Sequence, residues 1–197
     1  MFFALLFRLK YINRWGLMRS FRTENLSEHS LETAIIAHAL AEIGVTYFNR
    51  TYNPAEIALS AVYHDVSEIF TGDMPSPVKY HTKEMKKTYK SIEREAEKNL
   101  LASLPKELRE NYAKFILHEA GPDSPDSIEY KVVKAADRLC AYIKCAEETE
   151  SGNHEFSRAK EEIYKTLASS GLDELKYFME NFLPYFSRTI DEMSKSI

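Results

Sequence analysis

The chain has 197 residues, 44% hydrophobic and 28% charged, which is globular composition with enough length for one substantial core and is expected to form a single domain over residues 1–197. Its 26 Lys+Arg against 30 Asp+Glu leave a net charge of −4, so no overall positive field exists to hold a nucleic acid polymer by its backbone. A small anionic ligand stays compatible with a locally basic site. The two cysteines, Cys140 and Cys145, sit five apart in one helical stretch, where about 100° of rotation per residue turns them in different directions. They read as reduced core thiols of a cytoplasmic protein.

The opening run Met1–Phe7 is apolar, but its cations Arg8 and Lys10 follow the apolar part, so a secretory leader is not expected. It is also too short to span a membrane. Phe2, Leu5, Leu6, Leu9 and Ile12 fall on one helical face, which predicts a buried first helix. Asn25 with Glu28 three residues later forms a capping signal for a second, largely buried helix to about Ile43. Pro54 suits the first turn of a third, whose stripe Ile57, Ala58, Ala61, Val62, Val66 and Ile69 ends at the break Gly72–Pro77.

Lys83 to Leu101 carries Met85, Tyr89, Ile92, Ala96 and Leu100 at helical spacing among many Lys and Glu, which predicts a helix covering one side of the core. Ser103 and Pro105 open another, to about His118, before the break Gly121–Pro125. Ile128 to Glu148 is long and apolar-centred. Helices over His154–Ser169 and Asp173–Ser194 follow, the last disturbed by Pro184. Nothing alternates with period two for long enough to demand a sheet, so the expected class is all-α.

Four metal-ligand side chains lie inside these apolar segments: His29, His64, Asp65 and Asp137. Imidazole and carboxylate are costly to bury unpaired, and a divalent cation compensates them efficiently. On an unbroken helix Glu68 stands on the same face as His64, roughly 6 Å along the axis. Asp137 lies between Val132–Ala136 and Leu139–Tyr142, with Lys134 and Arg138 expected to point away from its face. Two imidazoles and two carboxylates suit Mn, Co, Zn, Fe or Mg, and the lack of thiolates favours catalysis over a structural zinc site. Such an ion polarises a phosphoryl oxygen and acidifies water. A metal-dependent hydrolase is the reading these residues support.

The pattern His29, His64-Asp65, Asp137 resembles that of the HD-domain metal phosphohydrolases, an all-helical superfamily. The surrounding text narrows it: Arg8-Leu9-Lys10 through Trp15, Arg22-Thr23-Glu24-Asn25 through Ser30, Tyr63-His64-Asp65, Thr71-Gly72-Asp73 with Pro75 and Pro77–Tyr80, and Ala141–Cys145. These are similar to the bacterial 5'-deoxynucleotidases of the YfbR-like branch, from about residue 3 to 193. The resemblance implies a helical HD-type bundle, one divalent ion (Co2+, Mn2+ or Cu2+) held by His29, His64, Asp65 and Asp137, and a homodimer.

It further implies Glu68 as the catalytic carboxylate, Arg14 as the residue that orients the phosphate, and Trp15 as a wall that leaves no room for a ribose 2'-hydroxyl. Asp73, Met74, Pro75 and Ser76 match the loop that holds the deoxyribose, and His29, Asp65 and Asp137 also border the substrate. Ser76 stands where Thr is expected, and Gly16 where Pro often follows the Trp. The implied reaction converts a deoxyribonucleoside 5'-monophosphate and water to a deoxynucleoside and phosphate. Its rivals are a deoxynucleoside triphosphate hydrolase, which needs more cations than Arg14, Arg19, Arg22 and Lys79 provide, and a metal-containing nucleotide sensor, which does not need Glu68. His118-Glu119 could supply an additional ligand but reads better as a helix end favoured by the dipole, and His38, His81 and His154 have no partner pattern. Tyr177, Phe178, Phe182, Tyr185 and Phe186 read as core or as a dimer contact.

Overall fold

The computed structural model describes residues 1–79, 81–117 and 127–195. Among these the regular structure is helical, with one isolated antiparallel bridge, Asn13 to Asn25. The helices are α1 (Phe2–Leu6), α2 (Leu26–Phe48), α3 (Pro54–Tyr63), α4 (Glu68–Thr71), α5 (Ser76–Lys79), α6 (Lys83–Ala102), α7 (Lys106–Ile116), α8 (Ile128–Glu150), α9 (Ser157–Ala168), α10 (Asp173–Asn181) and α11 (Ile190–Ser194). Short 3-10 turns stand at Leu9–Tyr11, His154–Phe156 and Leu183–Tyr185.

α2 is the central element. Asn25 accepts hydrogen bonds from the Ser27 and Glu28 amides while Glu28 returns one to the Asn25 amide, the full capping box that the sequence announces. The helix runs beyond Ile43 to Phe48 and ends on Asn49 in the left-handed region, a role asparagine fills at low steric cost. By length and composition α2 could cross a membrane, but it packs against α3, α8 and α10 and buries Leu26, Ile36, Leu40 and Ile43, while Leu31 and Ile35 stay exposed.

Two apolar clusters result. One joins Ala34–Ile43 of α2 to Ile57 and Ala61 of α3, Val132–Cys140 of α8, and Leu167, Leu175 and Phe178. The other joins Phe2, Leu9 and Leu26 to Val66, Leu100, Leu101, Leu104 and Ile116. His29 falls between Leu26 of the second cluster and Ala34 of the first, and His64 between Ala61 and Val66. Both histidines therefore stand where one cluster gives way to the other along the chain, and Asp137 reaches them from α8 of the first.

Three elements differ from the sequence expectation. The first helix stops at Leu6, and the chain continues through i→i−3 bonds, Arg8 N to Leu5 O at 2.9 Å and Ile12 N to Leu9 O at 3.1 Å. That tighter winding keeps Phe2 and Leu9 buried while Phe7 stays exposed. The third helix is broken between Tyr63 and Glu68, as described below. At the C-terminal end Pro184 divides one expected helix into α10, a 3-10 turn and α11. On α6, Tyr89, Ala96 and Leu100 are buried as expected, whereas Met85 and Ile92 are largely exposed.

Candidate metal centre and nucleotide site

His29 and Asp137 are delivered by α2 and α8, and His64 and Asp65 by the end of α3. The His29 Nε2 atom lies 3.1 Å from Asp137 Oδ1 and 3.9 Å from Asp65 Oδ2. His64 Nε2 lies 2.9 Å from Asp65 Oδ2 and 3.8 Å from Asp137 Oδ1. One ligand atom from each of the four falls within 4.8 Å of all the others. Both histidines are buried, and both carboxylates keep an edge toward solvent.

The break after α3 creates half of this geometry. His64 Nδ1 donates to the Ala61 carbonyl at 2.7 Å, the oxygen that an unbroken helix would offer to the Asp65 amide. The following amides then bond three residues back, Val66 to Tyr63 and Glu68 to Asp65. Glu68 is thus the first residue of α4 rather than a later position on the helix carrying His64, which corrects the single-helix reading. It still arrives at the site, buried, with Oε2 lacking a hydrogen-bond partner.

These residues fit a divalent ion. With Nδ1 of His64 committed to a carbonyl, Nε2 carries the lone pair of a neutral ring, and it faces the Asp65 carboxylate without making a hydrogen bond. Lone pair against lone pair is repulsive, and a cation among them removes the repulsion. In the ion-free protein a proton serves the same electrostatic need: burial lowers the His64 pKa, but Asp65 and Asp137 outweigh it and hold the ring up to about 9. Against the upward push of burial, His64 and then Lys134 keep Asp65 well below the carboxylate range, and Lys134 with both histidines does the same for Asp137.

Lys134 corrects a second expectation. Its Nζ lies 3.4 Å from Asp137 Oδ2, because residues three apart on a helix are only about 60° apart around the axis and the lysine arm spans the rest. It neutralises part of the negative charge on the outer side of Asp137.

Arg14 and Trp15 follow the first 3-10 turn. The Arg14 amide donates to the Glu24 carbonyl at 2.9 Å and the Leu26 amide to Ile12, so residues 12–14 and 24–26 form a short two-stranded ribbon leading into α2. The Arg14 guanidinium is mostly buried, with Nη1 lacking a hydrogen-bond partner. Burial lowers its pKa, yet Glu24, Asp137, Asp65 and Asp73 raise it further, so the charge persists. A buried, partnerless donor among carboxylates is well suited to an anion.

Trp15 has φ +60°, a conformation rare for a bulky side chain. Three contacts hold it there: its amide donates to Asp73 Oδ2 at 3.2 Å, its Nε1 donates to Glu24 Oε2 at 2.7 Å, and its ring meets Phe156 edge-on at 5.4 Å. The first contact ties the Arg14–Trp15 segment to the 72–75 loop. Met74 and Pro75 in that loop are half-buried, and the Pro75 carbonyl opens α5 by accepting from Val78 and Lys79. Ser76 begins α5, while its side chain lies outside the described residues, as do His118 and Glu119. Burial pushes the Asp73 carboxyl up, and burial with Asp65 and Asp73 drives Glu68 up to about 9.

One residue of this site was not anticipated. Glu24, only 7% exposed, stands at the centre of the Arg14, Trp15 and His29 side chains. Its signal in the sequence was slight, a carboxylate five residues before a buried histidine and just ahead of the α2 cap.

The family model for YfbR-like 5'-deoxynucleotidases matches residues 1–186. The chain belongs to this YfbR-like family. The 5'-deoxynucleotidases of Vibrio cholerae and Erwinia tasmaniensis are 50% and 52% identical to it, each over 98% of this chain and 97% and 96% of their own. Among solved structures, an HD-domain phosphohydrolase from Listeria innocua superimposes with a TM-score of 0.81 at 23% identity, covering 94% of this chain and 87% of its own. The cyanophage S-2L HD phosphohydrolase, solved bound to dA and one catalytic Zn2+ ion, gives 0.61 at 21% identity, covering 94% and 96%. At such identities the likeness establishes the all-α HD architecture of this YfbR-like chain. In this YfbR-like chain the histidine–aspartate cluster is a group of residues that could hold a metal ion.

Proposed function

We infer that the protein is a metal-dependent 5'-deoxynucleotidase, releasing phosphate from deoxyribonucleoside 5'-monophosphates. The observation that carries this reading is the two-histidine, two-aspartate cluster together with two buried groups of opposite character that lack hydrogen bonds, Arg14 Nη1 and Glu68 Oε2. Its support from relatives is about half identity over nearly the full chain to proteins named for that activity.

His29, His64, Asp65 and Asp137 would hold one divalent ion, Co2+, Mn2+ or Cu2+, which when bound polarises a phosphoryl oxygen and acidifies water. Arg14 presents a permanently charged planar fork to the phosphate, and its burial removes competing solvent. Glu68 moves the proton at Oε2 between the water that attacks phosphorus and the 5'-oxygen that departs; the P–O5' bond breaks as the new P–O bond forms. Trp15, fixed by three contacts, closes the side where a ribose 2'-hydroxyl would sit. Asp73, Met74, Pro75 and Ser76 border the deoxyribose, with Asp73 also holding the Trp15 amide.

A triphosphate substrate is disfavoured by the partners of the nearby cations. Of the four cations named, Arg19 is paired with Glu155 at 2.8 Å and Lys79 with Glu93 at 2.6 Å, which leaves Arg14 and Arg22, while Lys134 is already on Asp137 at 3.4 Å. A non-catalytic sensor would have no use for a buried Glu68. Residues 1–197 form one HD-type domain in this reading. A second copy of the chain covers Phe182, Tyr185 and Phe186, each nearly half exposed, and the buried free thiols Cys140 and Cys145 suit the cytoplasm.

Phosphate release from paired dAMP and AMP, with Co2+, Mn2+ and Cu2+ supplied in turn, tests the proposal. Cleavage of dAMP at a rate up to about 100-fold above AMP is expected for a wall that rejects one hydroxyl by steric exclusion. No release with any of the ions would remove the phosphatase reading, and equal rates would remove the role of Trp15.

A further inference from the structure

The Glu24 carboxylate uses its two oxygens on two different parts of the site. Oε2 accepts from the Trp15 indole at 2.7 Å, while Oε1 lies 3.4 Å from His29 Nδ1 and 3.9 Å from Arg14 Nη1. Every one of these neighbours is a donor: indole and guanidinium nitrogens can only donate, and His29 Nδ1 must carry the ring proton if Nε2 is to offer a lone pair beside Asp137 and Asp65. His29 Nδ1, Arg14 Nη1 and Oε1 are all buried, and none of the three makes a hydrogen bond, so Oε1 faces the two donors as a close buried charge. Removing the carboxylate would take the acceptor of the Trp15 indole and the negative charge that faces both buried donors.

The same group restrains backbone strain. Trp15 is held at φ +60° by its amide bond to Asp73, its indole bond to Glu24 and its ring contact with Phe156, and loss of the indole bond removes one of these three restraints. The ribbon of residues 12–14 and 24–26 sets Glu24 beside Arg14 and Trp15 before α2 begins, so the arrangement is built into the backbone.

We propose that Glu24 is a positioning residue that couples the metal ligand His29 to the sugar-excluding wall Trp15 through the two oxygens of one carboxylate. The proposal rests on the nucleotidase reading for its sugar half, whereas its metal half does not depend on any activity. Glu24→Gln separates the halves. Glutamine has one acceptor oxygen; the short indole bond retains it, and the amide nitrogen then faces His29 Nδ1. The ring relieves that clash by moving its proton to Nε2, the atom needed for the ion.

Titration of metal-stripped protein with Mn2+, followed by electron paramagnetic resonance, is the first measurement. Glu24→Gln is expected to weaken Mn2+ binding about 10- to 100-fold, the usual cost of losing the outer partner of a ligand histidine, with the melting temperature close to wild type. At saturating Mn2+ the same variant should keep its preference for dAMP over AMP, while Glu24→Ala loses both the affinity and most of the preference. Wild-type Mn2+ affinity in folded Glu24→Gln overturns the proposal, even if Glu24→Ala fails to fold. A folded Glu24→Ala that keeps the full dAMP preference overturns the coupling to Trp15. Absence of dAMP cleavage by the wild-type protein would instead sink the nucleotidase reading and leave the Mn2+ result to stand by itself.

Discussion

Glu148 is placed to hold the loop that carries the chain toward Glu24, and its replacement by glutamine tests how firmly. The carboxylate is 2% exposed and accepts from Lys144 Nζ at 2.5 Å, the Phe21 amide at 2.9 Å, the Arg22 amide at 3.1 Å and Asn153 Nδ2 at 2.8 Å. Lys144 also donates to the Arg22 carbonyl at 2.5 Å, and Asn153 to that of Arg19 at 2.6 Å, so one buried network fastens residues 19–22 to α8. Glu148→Gln turns an amide nitrogen against two of the four donors. With hydrogen bonds to a charged group worth about 1.5–3 kcal/mol each and a buried pair costing about 3–5 kcal/mol to break, the loss is about 3–4 kcal/mol. At about 2–4 °C per kcal/mol for a chain of this size, the melting temperature should fall by roughly 6–16 °C.

The pH dependence gives a sharper check on Glu148. Burial pushes its pKa up, but Lys144, the Phe21 amide, Asn153 and the Arg22 amide outweigh it and hold the carboxyl at about 2 against an ordinary 4.5. A depressed pKa contributes stability that is complete above the unfolded value and is lost as pH falls through the folded one. The stability gap between wild type and Glu148→Gln should therefore be constant from pH 7 to about 5 and shrink between pH 4.5 and 2. Urea unfolding of both proteins in the presence of chelator measures it. A gap below about 1 kcal/mol at pH 7, or one that persists undiminished at pH 2.5, would refute the assignment of the network to an ionised Glu148.

Two other substitutions probe separate parts of the molecule. Glu68→Gln should lower kcat by about 10²- to 10⁴-fold while Mn2+ still binds, read by phosphate release alongside metal titration; near-wild-type turnover would remove Glu68 from proton transfer. Gly44→Ala introduces a Cβ 2.6 Å from the Tyr52 ring, which is pinned by its hydroxyl bond to the buried Glu174 at 2.5 Å. A loss of about 1–3 kcal/mol is expected from such overpacking, and unchanged unfolding would show that the α2–Tyr52 contact has slack.

Much of this was legible along the chain because helix signals are local. The Asn25–Glu28 box, Pro54 at a helix start and the apolar periodicity of α2, α6 and α8 each depend on neighbours within a few residues. The four ligands stood out because a polar side chain inside an apolar run is conspicuous in one dimension. The unbroken third helix was a misreading of the same kind of signal: periodicity continues through residues 64–67, and only the His64 ring, by taking the Ala61 carbonyl, interrupts the backbone. Lys134 was misplaced because its reach depends on the conformation of a long arm.

The sequence by itself determined the helical class, the ligand types and, through its resemblance, the family. Tertiary structure alone decided that the four ligands meet, that Trp15 is held in a left-handed conformation from two directions, and that Glu24 reaches His29, Arg14 and Trp15 at once. Those facts depend on contacts between distant residues, 108 positions apart for His29 and Asp137, and no local pattern encodes the distance at which two side chains come to rest.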